Sequence, residues 1–106
     1  MNGSITSLMR ELKAGLKAIY GPRLHGVYLY GSHARGEADA ESDVDVLIVL
    51  DQITEYRDEI DHTSFLIAGL SLQYGMNLSR VFVSAQAWER HATPFLLNVY
   101  EEATPA

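Results

Sequence analysis

With 106 residues, 47% of them hydrophobic and 21% charged, the chain has the make-up of one ordinary globular unit and not of a disordered, collagen-like or coiled-coil protein. Fourteen acidic residues against eight basic ones, a formal charge of -6, argue against a bulk electrostatic grip on DNA or RNA. The absence of cysteine removes disulfides and thiolate metal sites, and the longest uncharged run, Thr63 to Ser79, is too rich in Ser, Gln, Gly and Asn for a membrane span, so a cytoplasmic protein is expected, with no membrane association.

Ile5, Leu8, Met9, Leu12, Leu16, Ile19 and Tyr20 recur at helical spacing, Ser4 stands where a cap would, and Gly21-Pro22 supplies a stop, so the chain opens with an amphipathic helix. Leu24 to Tyr30 is aromatic and branched and runs into Gly31-Ser32, the pattern of a short strand and turn. Residues 33–42 are small and polar, enough for one helical turn and a loop. Asp43 to Leu50 is nearly continuously apolar past its first three residues, which places this strand at the centre of a sheet.

A second long helix carries Tyr56, Ile60, Thr63, Ile67, Leu70 and Tyr74 along one side and stops at Gly75. Asn77 to Ser84 is read as a third strand. A short helix with Trp88 follows, and Thr93-Pro94 caps a last helix to about Glu102. Ala103 to Ala106 is expected to fray. The order α-β-(short α)-β-α-β-α-α gives an α/β (α+β) fold, a small mixed sheet flanked by helices, with residues 1–106 as a single domain.

Chemistry concentrates in Gly31-Ser32-His33-Ala34-Arg35-Gly36 and, six residues on, Asp43-Val44-Asp45. A glycine after a strand lets backbone approach a phosphate closely, and N–H groups at the start of a helix face an anion. Ser32 adds a hydroxyl and Arg35 a guanidinium fork suited to phosphate oxygens. At period two, Asp43 and Asp45 project from one strand face with Cα atoms about 6.6–7 Å apart. Two such carboxylates repel unless a hard cation lies between them, which calls for Mg²⁺ or Mn²⁺. Singly these features are common: a lone Asp-x-Asp is more often a solvated strand entry, and Arg35 has Glu37 and Asp39 within reach. Ser42 has the composition of a turn residue, His33 of a surface histidine, and the tyrosines of packing groups. Joined, they place a phosphate cradle opposite a metal clamp.

Ten residues separate Ser32 from Asp43, and this Gly-Ser…Asp-x-Asp run resembles the polymerase-beta-like nucleotidyltransferase superfamily. Over residues 31–47 the likeness extends to the minimal nucleotidyltransferase (MNT) proteins, antitoxins often paired with HEPN-domain toxins. The resemblance implies the nucleotidyltransferase core fold, catalytic and metal-binding roles for Asp43 and Asp45, nucleotide binding by Gly31, Ser32, Arg35 and Ser42, and Mg²⁺-dependent transfer of AMP from ATP to an acceptor hydroxyl. It further implies a HEPN toxin as partner, with one of its tyrosines as acceptor, and an antitoxin role.

One departure stands out. The family places a third carboxylate on the next strand, where this chain has Leu78-Ser79-Arg80-Val81-Phe82-Val83 with Ser79 at the matching place; loss of a general base costs about 10²–10⁴-fold in rate. A weakened protein that neutralises its partner by binding alone is therefore the alternative, and a small-molecule nucleotidyltransferase would need a further helical domain. Arg57 and His62 match the Arg-x4–6-His spacing of HEPN ribonucleases, but lie about 140° apart on one helix in a chain with strong strands.

Overall fold

In the computed structural model, which describes residues 3–39 and 41–106, the opening amphipathic segment forms helix α1 (Gly3–Tyr20). Ile5, Leu8, Met9, Leu12, Leu16 and Tyr20 are buried along one side of it. Ser4 lies inside the first turn instead of capping it, and Ile19 is 40% exposed because Tyr20 takes the inward place at that end. A 3-10 turn at Gly21–Arg23 leads into β1 (Leu24–Tyr30).

The one-turn helix α2 (Ser32–Arg35) follows, then β2 (Val44–Leu50), α3 (Tyr56–Tyr74), β3 (Leu78–Ser84), α4 (Ala85–Arg90) and α5 (Pro94–Glu102). The expected Thr93 cap forms, its Oγ1 accepting from Leu96 N–H with Pro94 in the first turn of α5, and Ser84 Oγ caps α4 by accepting from Ala87 N–H, both at 3.2 Å. Gly75 ends α3 in the left-handed conformation (φ 64°), which glycine adopts without steric cost.

The expectation of a frayed tail is overturned. Thr104–Pro105 forms a fourth strand, β4, antiparallel to β1, with Leu29 opposite Thr104 and Tyr28 opposite Pro105. Two long-range bonds hold it there: Ala106 N–H donates to the Val27 carbonyl at 2.9 Å and Lys13 Nζ to the Ala106 main-chain oxygen at 2.8 Å.

The sheet runs β3-β2-β1-β4, antiparallel at β1/β2 and β1/β4 and parallel at β2/β3. Alternation along the strands sorts side chains to two faces. Val27, Leu29, Val44, Val46, Ile48, Leu50, Leu78 and Phe82 pack beneath α1 and α3. Leu47, Val49 and Val83 meet Leu96 and Val99 of α5 on the other face, flanked by Tyr28, Tyr30 and Trp88. The middle strand β2 is buried on both faces, which is why its sequence reads as a continuous apolar run. Among the described residues no helix is long and apolar enough to cross a membrane.

One buried charge sits between α1 and α3. Glu59 accepts hydrogen bonds from Tyr20 Oη (3.0 Å) and Arg23 Nη2 (3.1 Å) and faces His62 Nδ1 at 3.3 Å. Burial opposes its ionisation, yet these partners together hold its carboxyl below the usual range.

Candidate active site

Asp43 and Asp45 stand at the entrance of β2, where the strand leaves the core. Asp45 is half-buried on the α5 face of the sheet with Tyr30 of β1 opposite it and Ser79 of β3 beside it in register. Asp43 precedes the strand, exposed, and its Oδ1 accepts from Asn77 Nδ2 at 3.0 Å. Asn77, just before β3, and Ser79, within it, thus flank Asp43 and Asp45 in turn. The place expected to hold a third carboxylate is occupied by a hydroxyl.

Gly31 meets Asp45 directly. Its backbone (φ 77°, ψ -157°) lies in a region open in practice to glycine alone, and a Cβ there would fall 2.4 Å from Asp45 Oδ2. The turn from β1 into α2 therefore brings the main chain against the carboxylate, so cradle and aspartates form one site. Burial, and after it the charge of Asp43, raises the Asp45 carboxyl above its usual range. Burial, and then Asp45, pushes the Tyr30 phenol up to about 12.

Arg35 closes the other side. Its Nε donates to Glu37 Oε2 and its Nη1 to Glu102 Oε2, both at 3.0 Å, while Glu102 Oε1 accepts the Gly31 N–H at 3.0 Å. The Ser42 hydroxyl donates to Asp39 Oδ1 (3.2 Å) and accepts from Asp39 N–H (3.0 Å), and His33 Nε2 lies 3.3 Å from the Ser42 carbonyl. These bonds tie the loop that carries Asp43 to α2. The sequence reads Tyr30 only as a packing group and does not single out Asn77 or Glu102. The first two follow from alternation once the strand register is known, whereas Glu102 lies 71 positions from Gly31 and had no local signal.

The donor set suits a hard divalent cation. Asp43 and Asp45 offer anionic oxygens, and among the described residues no hydrogen bond or ion pair neutralises the Asp45 carboxylate. Among those residues no group of three His, Cys, Asp or Glu side chains gathers at metal-binding spacing, in keeping with Ser79 at the third place.

The sequence profile of the nucleotidyltransferase domain matches residues 9–89, which span α1 to α4 and include the whole Gly31–Asp45 constellation. The chain belongs to the nucleotidyltransferase domain family. This nucleotidyltransferase is 33% identical over 95 residues, 89% of each chain, to a Methanocaldococcus jannaschii protein described as a protein adenylyltransferase. Its fold superposes on a Sulfolobus solfataricus protein described as a nucleotidyltransferase, with a TM-score of 0.59 at 22% identity, covering 99% of this chain and 86% of the other. It also superposes on a chain of the complex between a tri-AMPylated Shewanella oneidensis HEPN toxin and an MNT antitoxin, with a TM-score of 0.60 at 16% identity, covering 94% and 69%. At those identities the likeness to solved structures is one of fold.

Proposed function

We propose that this nucleotidyltransferase transfers AMP from ATP to a tyrosine hydroxyl of a HEPN-type toxin and so acts as its antitoxin in the cytoplasm. The observation that carries the proposal is the approach of Gly31 to Asp45, which joins a phosphate-binding turn to a carboxylate pair in one site. The adenylyltransferase relative supports the nucleotide, and the HEPN–MNT complex of like fold supports the partner.

In this scheme the Gly31 N–H, the Ser32 hydroxyl and Arg35 bind the triphosphate, and Ser42 holds the loop that presents Asp43. Asp43 and Asp45 would hold Mg²⁺ or Mn²⁺, which when bound neutralises phosphate charge. The acceptor oxygen forms a bond to the α-phosphorus as the bond to the bridging oxygen breaks, pyrophosphate leaves, and the hydroxyl proton passes to solvent. With Ser79 beside Asp45, β3 supplies no base to take that proton. An acceptor that sheds its proton readily is favoured in consequence, and a phenol, with an ordinary pKa of about 10, suits the site better than a serine or threonine hydroxyl.

The same serine favours a second scheme in which the protein silences its partner by association alone. Intact-mass measurement of the toxin after incubation with this protein and Mg-ATP, beside Asp43→Asn/Asp45→Asn, separates the two. Increments of whole AMP units that vanish with the double variant are expected. A stable complex without any mass change would reject transfer and leave occlusion.

A further inference from the structure

Glu102, the last residue of α5, directs its carboxylate into the cradle. Oε1 accepts from the Gly31 N–H and Oε2 from Arg35 Nη1, each at 3.0 Å. An anion with two oxygens placed on a main-chain N–H and a guanidinium makes the contacts a phosphate would make with those donors. A single N–H cannot serve both anions at full strength, and Arg35 is already committed on its Nε side to Glu37.

We infer, on the triphosphate assignment made above, that Glu102 is a resident anion that keeps the cradle closed, and that a nucleoside triphosphate binds only by displacing it. Glu102 lies beyond residues 9–89, the span matched to the family, so the contact reaches the cradle from outside the matched region. The Gly31 N–H, with Arg35 acting in the same sense, holds the Glu102 carboxyl below the usual carboxylate range, so the competing group is an anion at neutral pH.

The surroundings allow the exchange. Leu96 and Val99 anchor α5 in the apolar layer, while the Glu102 side chain is 27% exposed. Displacement therefore asks for a rotation of one side chain and a loosening of the final turn, with the body of the helix still docked.

The test is calorimetric titration of the full chain with Mg-AMP-PNP, inorganic tripolyphosphate and adenosine, using wild type, Glu102→Gln, Glu102→Ala and, as a control on the same helix, Glu101→Gln. Removal of the competing carboxylate should tighten AMP-PNP and tripolyphosphate by about fivefold, the scale of a partly exposed charge-assisted contact. Adenosine binding and the Glu101 variant should stay at wild-type values. The isosteric Gln keeps the comparison valid if the Ala variant folds poorly. Wild type and both Glu102 variants binding tripolyphosphate equally, or the variants more weakly, would overturn the displacement while leaving the triphosphate assignment intact. Absence of AMP-PNP and tripolyphosphate binding in every chain, Glu102→Ala included, would overturn both.

Discussion

Replacing Gly31 by alanine couples the fold to the site in one measurable step. The backbone at Gly31 (φ 77°, ψ -157°) costs a residue with a side chain about 1–3 kcal/mol. The new methyl would also lie 2.4 Å from Asp45 Oδ2 and 3.3 Å from its Cγ. Because the obstacle is a side chain, it yields by rotating the carboxylate away, adding a modest packing cost and spoiling the pair with Asp43. A total of about 2–3 kcal/mol follows, and at about 4–8 °C per kcal/mol for a domain of this size, a fall in Tm of roughly 8–24 °C.

Gly75→Ala is the matched control. Gly75 also has a positive φ (64°), but nothing lies within 4 Å of a Cβ built there, so only the left-handed penalty of about 1 kcal/mol applies. Thermal melts, AMP-PNP titration and AMP transfer by intact mass, run at a temperature where both variants are folded, should show Gly31→Ala without binding or transfer and Gly75→Ala with both. Equal melting temperatures together with retained transfer by Gly31→Ala would refute the idea that the Gly31–Asp45 approach organises the site.

The Asp43→Asn/Asp45→Asn protein should melt at a higher temperature than wild type in chelator, as read by thermal melts, because burial and Asp43 both disfavour the charged Asp45 that it removes. Glu59→Gln should cost about 1–3 kcal/mol at neutral pH, because it removes the charge facing Arg23 and leaves a single side-chain oxygen where Tyr20 and Arg23 each have one. Since the folded Glu59 carboxyl lies below its ordinary value, its contribution is full above the unfolded carboxylate pKa of about 4.3 and disappears as pH falls through the folded value. Melts over the acid range should accordingly show wild type and Glu59→Gln converging, and parallel curves would contradict this. Deleting residues 104–106 removes the Ala106–Val27 and Lys13–Ala106 bonds and should lower stability by about 1–2 kcal/mol without abolishing AMP-PNP binding, as read by denaturant titration and calorimetry.

Elements whose signal is local were legible in the sequence. The apolar stripe of α1, the unbroken run of β2 and the Thr93-Pro94 start of α5 depend on residues within a few positions of one another, and each formed where its pattern lies. Asp43 and Asp45 could be paired because strand period alone sets them on one side. Two-residue β4 has no period to read, and it exists through partners at Val27 and Lys13, more than seventy residues away. Glu59 interrupts the helical pattern as a charge, and its burial makes sense only once Tyr20, Arg23 and His62 converge on it. Glu102 was hidden for the same reason. Its role arises where the end of α5 meets the turn after β1, a junction created by tertiary packing.

The margins of the sheet bear on how another protein can approach this one. On the β3 side, α3 lends hydroxyls to outward amides: Tyr56 Oη accepts from Phe82 N–H at 3.1 Å and Ser71 Oγ from Leu78 N–H at 3.3 Å. On the opposite margin the short β4 ends in Pro105, which has no N–H to offer. Two main-chain donors of the β3 edge are thus taken and Pro105 has none to give, which disfavours strand addition, a common mode of protein recognition and of uncontrolled self-association, at those positions. At those positions recognition by another protein falls to side chains, where affinity depends on shape and residue identity more than on generic backbone pairing.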